Sequence, residues 1–114
     1  MDSSPRPLSS DERRLAVLLL SSRREGVSLI AQLDQIRVRE MSDGGMRSLR
    51  FEGESGQRSR SATVASAQFR DADGIPVLVS LDLDQNGRLF ELDIWKVDFS
   101  PLQKIPENSH IQVE

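Results

Sequence analysis

The chain has no cysteine and no tyrosine, and it has one tryptophan and one histidine. Without cysteine there is no disulfide framework, no thiolate metal site and no Cys nucleophile. A small core must then hold by packing alone, and the expected compartment is the cytoplasm. The single His110 falls in a polar stretch, which leaves neither a Ser–His–Asp triad nor a histidine metal cage to assemble. Long apolar runs are also missing. The longest, 15–20, is far short of the roughly 18 residues a membrane span needs, and residues 1–10 lack the basic start and apolar centre of a secretion signal. Positive charge is not in excess: Lys+Arg number 15 against 18 Asp+Glu, a net charge of -3. Binding a phosphate backbone needs clustered cations without compensating acids, so nucleic acid is not the expected partner. Gly44-Gly45 and Gly53-x-x-Gly56 follow no strand-to-helix step. They read as turns, and no phosphate cradle or other cofactor is expected.

What remains is an ordinary globular composition, 37% apolar and 29% charged over 114 residues, enough for one domain. Residues 1–8 carry Ser, Pro and Arg without apolar periodicity and read as a flexible lead; the domain is expected over 9–102, with a flexible polar tail over 103–114. Ser9-x-x-Glu12 has capping-box spacing and is followed by Leu15, Ala16, Leu18, Leu19 and Leu20, which predicts a helix over 11–22. Glu25-Gly26 interrupts the pattern, and Val27, Leu29, Ile30 and Leu33 predict a shorter helix over 27–35.

From Ile36 the apolar period drops to two, and strands are expected over 36–41, 46–51, 62–71, 75–83 and 88–97. Glu52 to Arg60 holds no apolar anchor and reads as a mobile loop. Asp43-Gly44 is a two-residue hairpin signal that would set Val38 opposite Leu49 and Ile36 opposite Phe51. Asn86-Gly87 as a tight turn pairs Leu83 with Phe90, Leu81 with Leu92 and Val79 with Ile94. A three-residue loop 72–74, with Gly74 left-handed, aligns Phe69 with Val77 and Ala67 with Val79. The expected fold is α+β: two N-terminal helices packed on one face of a five-stranded antiparallel meander sheet. Leu15, Leu18, Leu19, Ile30 and Leu33 would lie against Val38, Leu49, Phe69, Val79, Leu81, Leu92 and Ile94.

The same registers leave Asp82 across from Glu91, Ser80 from Asp93 and Leu78 from Trp95 on the outer face, with Asp84 extending the acids towards the turn. Ala62, Val64, Ser66, Gln68 and Arg70 would join them, with Arg37, Arg39 and Arg50 on the first hairpin, so the sheet is expected to be acidic at one edge and basic at the other. A solvated sheet face is ordinarily charged. Directly opposed acids such as Asp82 and Glu91 nonetheless destabilise a strand pair unless something compensates. An exposed Trp95 beside Leu78, bordered by acids, has the composition of a binding hot spot, unless the segment 99–102 covers it. The functional expectation is a non-catalytic protein-binding module, with an immunity or antitoxin-like role as its concrete form. In it Asp82, Asp84, Glu91 and Asp93 steer a basic partner while Trp95 and Leu78 anchor it. Replacing Asp84 by Ala is expected to cost little stability.

One motif offers another chemistry. Residues 82–93 fit the calcium-loop spacing D-x-D-x-N-G with a carboxylate at position twelve, which would make Asp82, Asp84, Asn86 and Asp93 metal ligands. Against it, the flanks alternate like strands where the motif needs helices, and Asp93 is shorter than the usual Glu.

Glu91-Leu92-Asp93-Ile94-Trp95-Lys96-Val97-Asp98-Phe99-Ser100-Pro101-Leu102, with Asp43-Gly44-Gly45-Met46 and Arg6-Pro7-Leu8, resembles a family of small uncharacterised bacterial proteins. That resemblance implies a bacterial cytoplasmic protein and carries no catalytic residues with it.

Overall fold

The computed structural model describes residues 4–53 and 56–114. Strand β1 (Arg6–Pro7) leads into helix α1 (Ser10–Ser21), which begins where the capping box predicts. The Ser9 side chain accepts from the Glu12 amide, and the Glu12 carboxylate accepts from the Ser9 amide at 2.8 Å. Glu12 is 1% exposed because Arg6 grips both its carboxylate oxygens at 2.8 and 2.9 Å, with Arg47 at 3.6 Å behind. Leu15, Ala16, Leu19 and Leu20 turn inward, while Leu18 is only partly buried.

The second helix differs from the expectation over 27–35. It is a single turn, α2 (Arg24–Val27), followed by a 3-10 segment Ile30–Asp34. Gly26 does not interrupt this helix; it sits inside it and is buried, because a Cβ there would lie 2.5 Å from the Leu20 carbonyl oxygen. The glycine therefore lets two backbones cross at contact distance.

Strands β2 (Arg37–Glu40), β3 (Leu49–Phe51), β4 (Arg60–Arg70), β5 (Pro76–Asp84), β6 (Leu89–Lys96) and β7 (Gln112–Val113) complete one antiparallel sheet of seven strands, in the order β1-β2-β3-β6-β5-β4-β7. The α+β class holds, but the five-stranded meander does not. The first hairpin joins the last long strand, and β4 moves to the far side. This order sets Leu49 opposite Leu92 and Arg50 opposite Glu91, so apolar residues meet on one face and opposite charges on the other.

The later registers agree with the sequence. Phe69 pairs with Val77, Ala67 with Val79, Leu81 with Leu92, and Val79 with Ile94; Gly74 has φ 84 in a loop closed from Asp71 to Ile75. The turn at Asn86-Gly87 is one residue wider than expected. Asp84 and Arg88 close it, Gly87 has φ 75, and a bulge then pairs Leu83 with Leu89 instead of Phe90. In the first hairpin the partners are Val38 with Phe51 and Glu40 with Leu49, two residues from the expected register. The Asp43 carboxylate folds onto the amides of Arg47 and Ser48, and Gly44 and Gly45 both have positive φ, so the loop is broad. A shift of two keeps every side chain on its own face, so Val38, Leu49 and Phe51 are all fully buried.

Two bulges in β4 move Val64 from the outer face, where it was expected, into the core at 7% exposure, and they pair Ala62 with the inward Leu83. Residues 54 and 55 of the expected mobile loop, and 1–3 of the lead, lie outside the described residues. Within that loop Arg58 donates to the carbonyls of Phe51 and Leu89 at 2.8 and 2.6 Å, which fastens its described part to the sheet. The segment read as a tail is packed as well. Ile105 and Ile111 are buried, and β7 pairs with β4 at Gln112 and Gln68. Lys96, the last residue of β6, points inward at 0% exposure and donates to Asp71, Asp73 and the Pro101 carbonyl; Asp71 also accepts the amides of Gln103 and Lys104. Burial would push the Asp71 carboxyl up, but the ammonium and these amides more than offset it and hold it below its ordinary value.

Candidate functional site

α1 contacts the sheet through the inward residues, which leaves the other face uncovered for a site. Across its middle runs one ladder row, Arg39, Arg50, Glu91, Asp82 and Thr63, contributed by five successive strands. The opposed acids are thereby compensated. Arg50 lies 3.7 Å from Glu91, and Thr63 donates to Asp82 at 2.8 Å. The arginines keep to the β2–β3 side as expected, but the acids lie on the central strands β6 and β5 and not at an edge, because β3 sits beside β6 and β4 lies outside β5.

The candidate partner-binding acids separate into two kinds. Asp82 and Asp84 are each 2% exposed. Asp84 accepts from Arg58 at 2.9 Å and from the amides of Asn86 and Arg88, which counter the burial and hold its carboxyl below the ordinary range. It locks the turn and is not available to a partner. The alternative set Asp82, Asp84, Asn86 and Asp93 does not converge, since the segment is a strand hairpin whose central carboxylate is already taken. No group of three or more His, Cys, Asp or Glu among the described residues is placed to hold a metal ion.

Glu91 and Asp93 remain on the surface side, Glu91 half-buried and Asp93 exposed. Both carboxyls are pushed above their ordinary values, first by partial desolvation and then by nearby acids, Asp93 and Asp82 at Glu91 and Asp82 and Asp43 at Asp93; Arg50 opposes this at Glu91, and a Ser48 hydrogen bond opposes it at Asp93. Ser48 lies 3.4 Å from the Asp93 carboxylate, and no ion pair to Asp93 is present among the described residues.

Beside it lies the apolar part. Trp95 and Leu78 face each other across β6 and β5, 40% and 36% exposed. The segment after β6 does not cover the indole. It turns away at Phe99, whose amide donates to the Lys96 carbonyl, and runs to the Gly45 carbonyl, which accepts from Leu102. Phe99 itself is 67% exposed, with its ring 6.0 Å from that of Trp95. Its φ of 65 places a bulky residue in the left-handed region, a conformation that costs about 1 kcal/mol or more. Val97, at 38%, extends the patch. A shallow groove of about 220 Å³ runs along the Trp95–Leu78 pair between Asp93, Ser80 and Ser66.

Sequence reasoning found Trp95 and Leu78 through strand alternation but missed Phe99, whose exposure follows from a turn and not from periodicity. It also missed the Arg50 and Arg58 guanidiniums stacked 4.4 and 5.2 Å from the Phe90 ring centre, a contact created by the β6 bulge.

The model of a family described as a domain of unknown function, DUF6984, matches residues 5–106. The chain belongs to that family. The DUF6984 span takes in β1 to β6 and the strap that Lys96 holds, and stops before the Asn108–His110 turn and β7. No curated protein and no solved structure matches the chain. No helix among the described residues is long and apolar enough to cross a membrane.

Proposed function

We propose that this DUF6984 protein is a non-catalytic protein-binding module that docks a cytoplasmic partner on its uncovered sheet face. The observation that carries this reading is the Trp95–Leu78 pair, exposed on a face no helix covers, with Phe99 held in strained backbone beside it. Large rigid aromatics supply binding energy at low entropic cost, and strain of this kind collects at contact sites. Glu91 and Asp93 are the acids left to steer a basic partner. An immunity or antitoxin-like role is the form in which so small a domain acts by occluding such a partner. Asp82 with Glu91 makes poor acid–base machinery, since Thr63 and Arg50 already engage them.

The test is co-purification from the native host with tagged wild type, Trp95→Ser, Leu78→Asp and the distant surface variant Arg24→Ala. A protein retained by wild type and Arg24→Ala but released by both face variants, with circular dichroism unchanged, supports the reading. Equal retention by all four moves the contact surface elsewhere.

A further inference from the structure

A second hollow lies at the end of the sheet where the C-terminal segment folds back across β4 and β5. It encloses about 640 Å³, within the range of small-molecule sites, and its lining brings Arg70 and His110 together between the side-chain amides of Gln68 and Gln112. Pro76 and Pro106 form apolar walls. Lys104 joins Arg70 and His110 in an adjoining lobe, which Glu107 also lines.

Several guanidiniums are matched to carboxylates, among them Arg6 to Glu12, Arg13 to Asp34, Arg50 to Glu91 and Arg58 to Asp84, while others such as Arg14 and Arg23 bind backbone carbonyls. Arg70 spends one nitrogen on the Gly74 carbonyl at 2.9 Å and makes no ion pair among the described residues. The rest of its fork is left to solvent or to a ligand. A planar guanidinium presents parallel donors that match the two oxygens of a carboxylate or phosphate, and a neighbouring imidazole and amide nitrogens add further donors. Proline faces suit the flat apolar body of an organic molecule better than a bare ion.

We propose that this cleft binds a small organic anion, its carboxylate or phosphate held by Arg70 with His110 and its apolar body lying between Pro76 and Pro106. The cleft shares no lining residue with the groove at Trp95 and Leu78, although Gln68 pairs with Leu78, and the two readings are tested with different variants and probes.

Two-dimensional ¹H–¹⁵N spectra of the full chain, titrated with phenyl phosphate, benzoate or benzyl alcohol, test this. Saturable shifts confined to Gln68, Arg70, His110 and Gln112 are expected with at least one anion. Binding should weaken roughly tenfold or more in Arg70→Gln, and also fall in His110→Gln. Response to both anions means the site reads the oxyanion in general, and response to phenyl phosphate alone assigns phosphate monoesters. The proposal is overturned if neither anion gives a saturable shift below about 10 mM. Benzyl alcohol shifting the same residues equally, or Arg70→Gln binding like wild type, also overturns it.

Discussion

The Lys96 ammonium lies 2.8 Å from the Asp71 carboxylate with both side chains fully buried, and together they tie the end of β6 to the β4–β5 loop and to the strap at Gln103 and Lys104. Removing one member leaves a charge inside the protein. Asp71→Ala is therefore expected to cost about 3–5 kcal/mol in urea unfolding. Asp73→Ala should cost much less, because Asp73 is partly exposed and Asp71 would still pair the lysine. Equal losses at the two positions would count against this account.

Asp84→Ala, which sequence reasoning marks as harmless, should destabilise by about 3 kcal/mol, since it strands Arg58 and frees two turn amides. The cost should match that of a core truncation such as Leu81→Ala or Leu92→Ala, about 2–5 kcal/mol. Denaturant midpoints of the three variants compare them directly.

The pH dependence has two components of opposite sign. Glu12, Asp71 and Asp84 have carboxyls held below their unfolded values, so the stability they add is complete above the ordinary carboxylate range near pH 4 and is lost as the pH falls through their lowered values. Melting temperature should drop steeply on acidification below about pH 4, and less steeply in Asp84→Asn.

Asp93 behaves in the reverse sense. Its carboxyl is raised by partial desolvation and by Asp82 and Asp43, so its ionised form costs stability at neutral pH. Asp93→Asn should raise stability at pH 7, by less than about 1 kcal/mol given its exposure, with the gain vanishing at acid pH. A partner-binding defect in the same variant would show that a destabilising charge is kept for recognition.

Phe99→Gly should leave stability unchanged or raise it by up to about 1 kcal/mol, because glycine adopts the left-handed backbone without penalty. The same change should weaken partner retention. A clear loss of stability would instead assign the Phe99 ring a packing role against Trp95.

The faces of the strands were legible in the sequence because a period of two fixes which side chains share a side. The β4–β5 register was legible because Gly74 fixes its turn, whereas the β5–β6 register agrees from Leu81 onward because the wider turn at Gly87 and the β6 bulge offset each other. Strand order was not legible, since Leu49 pairs equally well by alternation with any apolar strand, and only the juxtaposition of Arg50 with Glu91 distinguishes β6. The site was read in part. Trp95 and Leu78 follow from register, but the burial of Asp84 depends on Arg58, a residue in a stretch with no apolar signal. The inward turn of Lys96 breaks the rule that lysines stay outside, and it is allowed only by two aspartates that are distant in sequence.

The strand order also sets an order of events in time. β6 is the last long strand to leave the ribosome, yet it lies at the centre of the sheet between β3 and β5. Until it is delivered, the ribbon β1–β3 and the hairpin β4–β5 are two separate pieces of sheet, each with an unpaired backbone edge. In a nascent chain ending before Leu89 they share no strand pairing, and only α1, which packs against β4 and β5, lies over their apolar side, a state open to intermolecular strand pairing. The closing β3–β6 contact spans some forty residues and waits on the slow closure of that loop, so folding is expected to be late and concerted, with β6 as the keystone strand.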